Sequence, residues 1–281
     1  MTKLSIITIN RNNADGLRKT IESVVSQTYT DFEYIIIDGA STDESVDVIK
    51  EYADKITFWV SEPDNGIYNA MNKGILKAKG EYLQFLNSGD WLSDCVILER
   101  IFSKKHMGDV LYGNCKLVLD HVTVYDFLVP QKITLAYFYS GRSINHQSTF
   151  FKRQLFHNNM YDETYKIVSD WKYYFTLIIR GAIFEYIDCF VVYFDYNGIG
   201  ATIDSFHDIE RQRCLDEVIP AYIRSDYEEL TYLKYRFTEF EKSKYHLLRT
   251  KSRYYRKLIK IFLSFLTYVD LFVSKLWRKS H

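Results

Sequence analysis

Apolar and polar residues alternate in blocks along the first hundred positions. Leu4-Ser5-Ile6-Ile7-Thr8-Ile9 reads as a buried strand, and Leu17, Ile21, Val24 and Val25 then recur at the spacing of one helix face. Tyr34-Ile35-Ile36-Ile37 is a second strand. Ser41 and Glu44 fit a capping box that opens a helix through Val46, Val48 and Ile49. Residues 56–60 predict a third strand, 67–78 a helix ending before Gly80, and 81–86 a fourth strand. Such alternation implies right-handed crossovers and a mainly parallel sheet flanked by helices, an α/β fold. Ligands of these sheets bind beyond the carboxyl ends of the strands. Those ends carry Asn10-Arg11-Asn12, Asp38-Gly39, Ser61-Glu62-Pro63-Asp64-Asn65-Gly66 and Asn87-Ser88-Gly89-Asp90. One polar end is an ordinary loop; four together point to one site along the sheet edge.

The middle of the chain is less regular. Residues 109–119 and 122–129 predict a hairpin around Asp120-His121, and Ser148-Thr149-Phe150-Phe151 a further strand. Residues 169–180 read as a helix closed by Gly181, and 184–194 as a pair of strands. From about Asp204 the pattern is helical. Leu230, Leu233, Phe237 and Phe240 step by three and four, which fits an amphipathic helix that packs on the preceding domain or forms a dimer seam. Residues 258–277 combine a broad apolar face with flanking Lys and Arg, and Asp270 interrupts them. That pattern argues against a spanning helix. It fits a helix in the membrane interface, or an ordinary core or dimer helix. The domain reading is therefore 1–203, with halves at about 1–92 and 93–203, followed by a helical extension over 204–281.

Composition removes several classes of function. Lys plus Arg and Asp plus Glu balance at 36 each, so charge gives no reason to expect nucleic acid. Cys95, Cys115, Cys189 and Cys214 show no Cys-x-x-Cys spacing, which argues against a zinc site or a redox pair. The first residues run straight into a strand without a leader pattern, so the expected location is cytoplasmic. Asn10-Arg11-Asn12-Asn13 follows the first strand where a dinucleotide enzyme would carry Gly-x-Gly-x-x-Gly.

Four stretches carry a resemblance. They are Ser5-Ile6-Ile7-Thr8-Ile9-Asn10-Arg11, residues 37–43 (Ile-Asp-Gly-Ala-Ser-Thr-Asp), residues 62–74 (Glu-Pro-Asp-Asn-Gly-Ile-Tyr-Asn-Ala-Met-Asn-Lys-Gly) and residues 80–90, ending in Asn87-Ser88-Gly89-Asp90. In order and spacing they resemble the family-two glycosyltransferases over roughly residues 3 to 200. The resemblance implies a GT-A, Rossmann-like fold and a nucleotide-sugar donor, by family habit a UDP-sugar. It also implies a divalent Mn²⁺ or Mg²⁺ and inversion at the anomeric carbon. The implied acceptor is a lipid-linked or polysaccharide glycan of a bacterial surface, reached from the inner face of the membrane.

The same resemblance assigns residues. Thr8, Asn10 and Arg11 would border the base, and Asp38 would meet base or ribose, although Asp-Gly also fits an Asx-turn. Asp64 would lie near the donor and Ser88 in the acidic motif. Lys73 would meet the diphosphate, or be an ordinary solvated helix lysine. The metal motif departs from the family: the paired acids would fall at 87 and 89, which hold Asn87 and Gly89. Asp90 is then the expected ligand, with Asn87 supplying a carbonyl; Asp90 also fits an acid at a helix start. The general base is expected at Asp170, in Ile167-Val168-Ser169-Asp170-Trp171-Lys172, and His146 is expected to touch diphosphate or acceptor. The alternative to an enzyme is a non-catalytic nucleotide-sugar-binding subunit, which the thinned acidic motif would suit.

Overall fold

A computed structural model describes residues 2–119, 122–196 and 205–242, and beyond them 254–255, 257–258, 260–262 and 264–265. The chain divides into two compact units, Met1–Val218 and Ile219–His281.

The first unit is built on one nine-stranded sheet. Its first half contains β1 (Leu4–Asn10), β2 (Phe32–Asp38), β3 (Phe58–Ser61) and β4 (Tyr82–Phe85), in the order β3-β2-β1-β4. All three pairings are parallel. Helices α1 (Ala14–Val25), α2 (Ser45–Glu51) and α3 (Ile67–Lys77) supply the crossovers. Every residue of β1 is buried, as in a strand covered on both faces. Leu4, Ile6, Tyr34 and Ile36 join Leu17, Ile21 and Val24 of α1 in one core. The register pairs Asn10 with Asp38 and Asp38 with Ser61, so the polar strand ends lie level.

The second half is mixed. It comprises β5 (Trp91–Leu92), α4 (Ile97–Phe102), β6 (Val110–Leu119), β7 (Thr123–Phe127), α5 (Leu135–Tyr139), β8 (Thr149–Lys152), α6 (Ser169–Ile179), β9 (Phe184–Asp195) and α7 (Ser205–Val218). The sheet continues β4-β8-β6-β9-β5, with β7 beside β6. An aromatic cluster fixes α6 against β8 and the 3-10 turn that follows it: Tyr173 stacks on Phe156 at 4.6 Å, and Tyr174 stacks on Phe151 at 5.5 Å. Ring pairs of this kind add to the burial of their area. They set where the first turn of α6, with Asp170, emerges.

The structure differs from the sequence expectations in three places. Residues 184–195 form one long strand instead of two, because β6 pairs in parallel along its length, with the register shifting around Asn114. The Ser41–Glu44 capping box does not form: α2 starts at Ser45, and Ser41 donates its hydroxyl to Asp38 at 2.6 Å. Asp43 instead accepts from the amides of Ser45 and Ala14. The first unit also runs past position 203 to Val218. Glu210 of α7, 4% exposed, accepts from the successive backbone amides of Lys166, Ile167 and Val168, which ties α7 to the loop before α6.

In the second unit, α8 (Ala221–Lys242) leaves Leu230, Leu233, Phe237 and Phe240 exposed. Among the described residues, no helix is long and apolar enough to cross a membrane. Most of the helix expected over 258–277, and the turn expected at Asp120-His121, lie outside the described residues. All four cysteines are free.

Candidate active site

The parallel strand ends form a polar shelf. Asp38 is fully buried at its centre. Its Oδ1 accepts from Asn10 Nδ2 at 2.7 Å and from the Ser41 hydroxyl at 2.6 Å. Its Oδ2 accepts from the Ser41 amide at 2.9 Å and the Ser61 hydroxyl at 2.6 Å. A carboxylate has about four acceptor positions, and these four donors take them. Asp38 and Asn10 therefore build the shelf from beneath. Thr8 is fully buried too, its hydroxyl 3.0 Å from that of Tyr34. Thr8→Val should lower stability by about 1 kcal/mol, the worth of one buried hydrogen bond, and leave nucleotide affinity unchanged. Thermal unfolding alongside UDP titration checks both halves.

Two groups remain available at this edge. Arg11 is exposed, and its guanidinium makes no hydrogen bond or ion pair among the described residues. Asp64 accepts from the Gly66 amide through Oδ1 at 2.9 Å, and its other oxygen lies over Gly39, where any side chain would collide with it. Lys73, expected at the diphosphate, pairs with Glu62 at 2.7 Å and donates to the Pro63 carbonyl at 2.8 Å.

The end of β4 has its own logic. Gly89 adopts φ 103°, a region that strains other residues, so the chain path itself disfavours an acid there. The Gly89 amide donates to Thr20 Oγ1 at 3.0 Å, and that hydroxyl lies 2.7 Å from the Asp90 carbonyl. Ser88 is held from its backbone, its amide donating to Ile9 O and its carbonyl accepting from Asn13 Nδ2. Asp90 is 4% exposed and turned inward: Oδ1 accepts from the Asp195 amide at 2.9 Å and Oδ2 from Gln147 Nε2 at 2.8 Å. Burial pushes its carboxyl up to about 7, against the opposing pull of these two donors and of His146. Asn87 Oδ1 is buried without a partner. Among the described residues no three His, Cys, Asp or Glu side chains group as metal ligands. As arranged, one inward carboxylate with both oxygens engaged and one enclosed amide oxygen do not fit the expected divalent ion. Hard divalent ions take ionised, accessible oxygens.

Asp170 occupies the first turn of α6, where a carboxylate complements the helix dipole. Three elements converge on it. His146, from the 3-10 turn His146–Ser148, places Nδ1 3.3 Å from Asp170 Oδ2. The Tyr68 hydroxyl of α3 lies 3.1 Å from Asp170 Oδ1 and shares its single proton between that oxygen and the nearer Ile167 carbonyl. On its other side His146 Nε2 lies 3.2 Å from Asn87 Nδ2. Burial alone would raise the Asp170 carboxyl, but the hydrogen bond and charge of His146 hold it below the ordinary aspartate value. The side chain stays 20% exposed. The end of β4 and the start of α6 thus meet through one histidine. Tyr68, Thr20, Gln147 and Glu210 complete this geometry and were not singled out in the sequence. Tyr68 carried a signal because it lies inside the stretch 62–74, and Gln147 because it lies in Asn145-His146-Gln147-Ser148-Thr149-Phe150, which also resembles the family.

The GT-A glycosyltransferases form the class that this sheet and its polar carboxyl edge define. The family model described as glycosyl transferase family 2 matches residues 5–127. An uncharacterized glycosyltransferase of Mycobacterium tuberculosis is 34% identical over 210 residues, 70% of this chain and 77% of that protein. A PGL/p-HBAD biosynthesis glycosyltransferase of Mycobacterium bovis is 31% identical over 208 residues, 71% of this chain and 79% of that one. The crystal structure of Staphylococcus aureus TarS 1–349 in complex with UDP is similar in fold, with a TM-score of 0.61 at 19% identity. That match covers 76% of this chain and 64% of the TarS chain, just under two thirds of its length. The chain belongs to glycosyl transferase family 2, the nucleotide-sugar-dependent glycosyltransferases.

Proposed function

We propose that this chain transfers a sugar from a UDP-sugar to a hydroxyl of a lipid-linked or polysaccharide acceptor, with inversion at the anomeric carbon. The observation that carries the reading is the placement of Asp170: an ionised, partly exposed carboxylate, linked by His146 to the end of β4. In the proposed step the acceptor oxygen bonds to the anomeric carbon on the face opposite the leaving diphosphate. The bond from that carbon to the phosphate oxygen breaks, and its electron pair leaves with UDP. The acceptor proton passes to Asp170. Arg11 and the free oxygen of Asp64 are the groups offered to the nucleotide, and the buried Asp38 network holds the shelf behind them. Because Asp90 and Asn87 do not fit a divalent ion as arranged, no step is routed through one. The proposed place of work is the inner face of the cell membrane, which the Lys- and Arg-flanked apolar sequence over 258–277 supports.

The test is a donor-hydrolysis screen. Purified full chain is incubated with a panel of nucleotide sugars, with and without Mn²⁺, and released nucleoside diphosphate is measured. Release from one UDP-sugar is the expected result. Release only from a guanosine or thymidine donor would overturn the uridine assignment. No release, together with no binding of any nucleoside diphosphate, would overturn the donor site.

A further inference from the structure

One network, buried at Asn72 and Tyr161, joins α3 to the loop that leads into α6 and Asp170, and the donor shelf does not account for it. Asn72, 6% exposed, pairs in both directions with the backbone of Tyr161. Its Nδ2 donates to Tyr161 O at 2.9 Å, and its Oδ1 accepts from Tyr161 N at 3.0 Å. Nδ2 also donates to Glu163 Oε1 at 2.8 Å, and Asn69 Nδ2 donates to Glu163 Oε2 at 2.8 Å. One turn earlier, the Tyr68 hydroxyl lies 2.5 Å from Ile167 O and 3.1 Å from Asp170 Oδ1. The Tyr68 ring is 5% exposed and packs on Tyr161 at 5.6 Å between centroids. Burial, and then the nearby Asp170 charge, hold its phenol well above the ordinary tyrosine value, so it stays a proton donor. Tyr68 and Asn72 are thus directed at the segment 161–170, and Asn69 joins that segment to the strand end by accepting from the Asn65 amide through its Oδ1 at 3.2 Å.

The arrangement around Asp170 has a chemical consequence. Tyr68 holds one carboxylate oxygen and His146 the other. The Trp171 amide also hydrogen-bonds this carboxylate, which leaves about one of its four acceptor positions for an incoming hydroxyl. A base must lie within about 2.6–3.2 Å of the proton it takes. The Tyr68 hydroxyl is the contact from α3 on Oδ1, and it limits how far the carboxylate turns about its side-chain bonds.

We propose that Tyr68 is a positioning residue for sugar transfer, its hydroxyl fixing the Asp170 carboxylate and the Ile167 carbonyl behind it. The inference rests on the reading of Asp170 as the base. Asn72 acts one step further back, holding at Tyr161 the loop that leads into α6. Tyr68 and Asn72, which sequence reading leaves without a role, thereby serve the acceptor side of the reaction.

The test uses the full chain as wild type, Tyr68→Phe, Asp170→Asn and the double variant. Three readouts are taken: turnover of the donor from the screen, UDP affinity, and a carbon-13 titration of the Asp170 carboxyl, assigned by its absence in Asp170→Asn. Tyr68→Phe is expected to lower kcat by about 10- to 100-fold, the scale of a misplaced reacting group. UDP affinity should stay unchanged and the Asp170 titration midpoint should rise. In the Asp170→Asn background the Tyr68 change should cost nothing further, because residues acting through one another are not additive. Wild-type turnover in Tyr68→Phe, an additive loss in the double variant, or an unmoved Asp170 midpoint would each overturn the proposal. So would a loss of UDP affinity alongside kcat, which marks a general structural fault. Full turnover in Asp170→Asn removes the base reading itself, and is told apart because the defect is then absent from the single Asp170 variant.

Discussion

Asp170→Asn is expected to lower turnover of the nucleotide sugar by about 10³-fold, within the range that a positioned general base contributes. UDP affinity should not change. Asparagine keeps the size and one acceptor oxygen of aspartate, so the hydroxyl of Tyr68, 3.1 Å away, retains its partner. What disappears is the proton acceptor and the negative charge facing His146. The pH dependence follows from the direction of the Asp170 shift. Its carboxyl sits below the ordinary value of 3.8, so it is ionised throughout the neutral range. Protonation of this base should therefore cause no loss of rate until the pH falls below about 4, in line with ordinary aspartate behaviour. The same sign governs stability: the contribution of Asp170 is present above 3.8 and is lost as the pH falls through its lowered native value. Steady-state turnover and UDP calorimetry on the two proteins check the claim. Equal turnover, or a loss that appears equally in affinity, would refute the role.

The donor half was readable because its physics is local. Block alternation located β1 to β4 and α1 to α3, and the strand-end rule located the shelf. Which residues on the shelf face outward was not readable. Thr8, Asn10 and Asp38 are expected at the nucleoside by family resemblance, and in the structure they engage Tyr34, Ser41 and Ser61. The partner of a polar side chain is set by register between strands distant in sequence, and no local pattern carries that. The capping box failed for the same reason: Ser41 found a buried carboxylate before it found a helix amide. The expected strand pair over 184–194 is one strand, β9, because its parallel pairing with β6 continues through the register shift around Asn114. Asp170 is expected as the base from family resemblance, while its place at a helix start also fits an acid that complements the helix dipole. The partners that hold it, Tyr68 and His146, come from positions about a hundred and about twenty-five residues away.

The other large effect concerns Asp90. Its carboxyl is raised from 3.8 to about 7, first by burial. Between about pH 4 and pH 7 the native state therefore binds more protons at this residue than the unfolded chain. Stability from this group is full below the unfolded value and is lost as the pH rises through the native one. At about 1.4 kcal/mol per pH unit, the loss across that window is about 4 kcal/mol. Asp90→Asn has no proton to lose there, so the difference between the two unfolding curves isolates the residue from every other titrating group. Chemical denaturation from pH 4 to pH 8 is expected to show the wild type falling relative to the variant up to about pH 7, and running level above it. A flat difference would mean that the inward carboxylate is ionised throughout. Repeating the series with Mn²⁺ examines the metal assignment on the same atom. A divalent ion on Asp90 favours the carboxylate, so it would remove the slope and raise wild-type stability at pH 7 through ligand linkage. With both oxygens held by Gln147 and the Asp195 amide, no such gain is expected. A gain present in the wild type and absent in Asp90→Asn would place the ion there and restore the acidic motif to its family role.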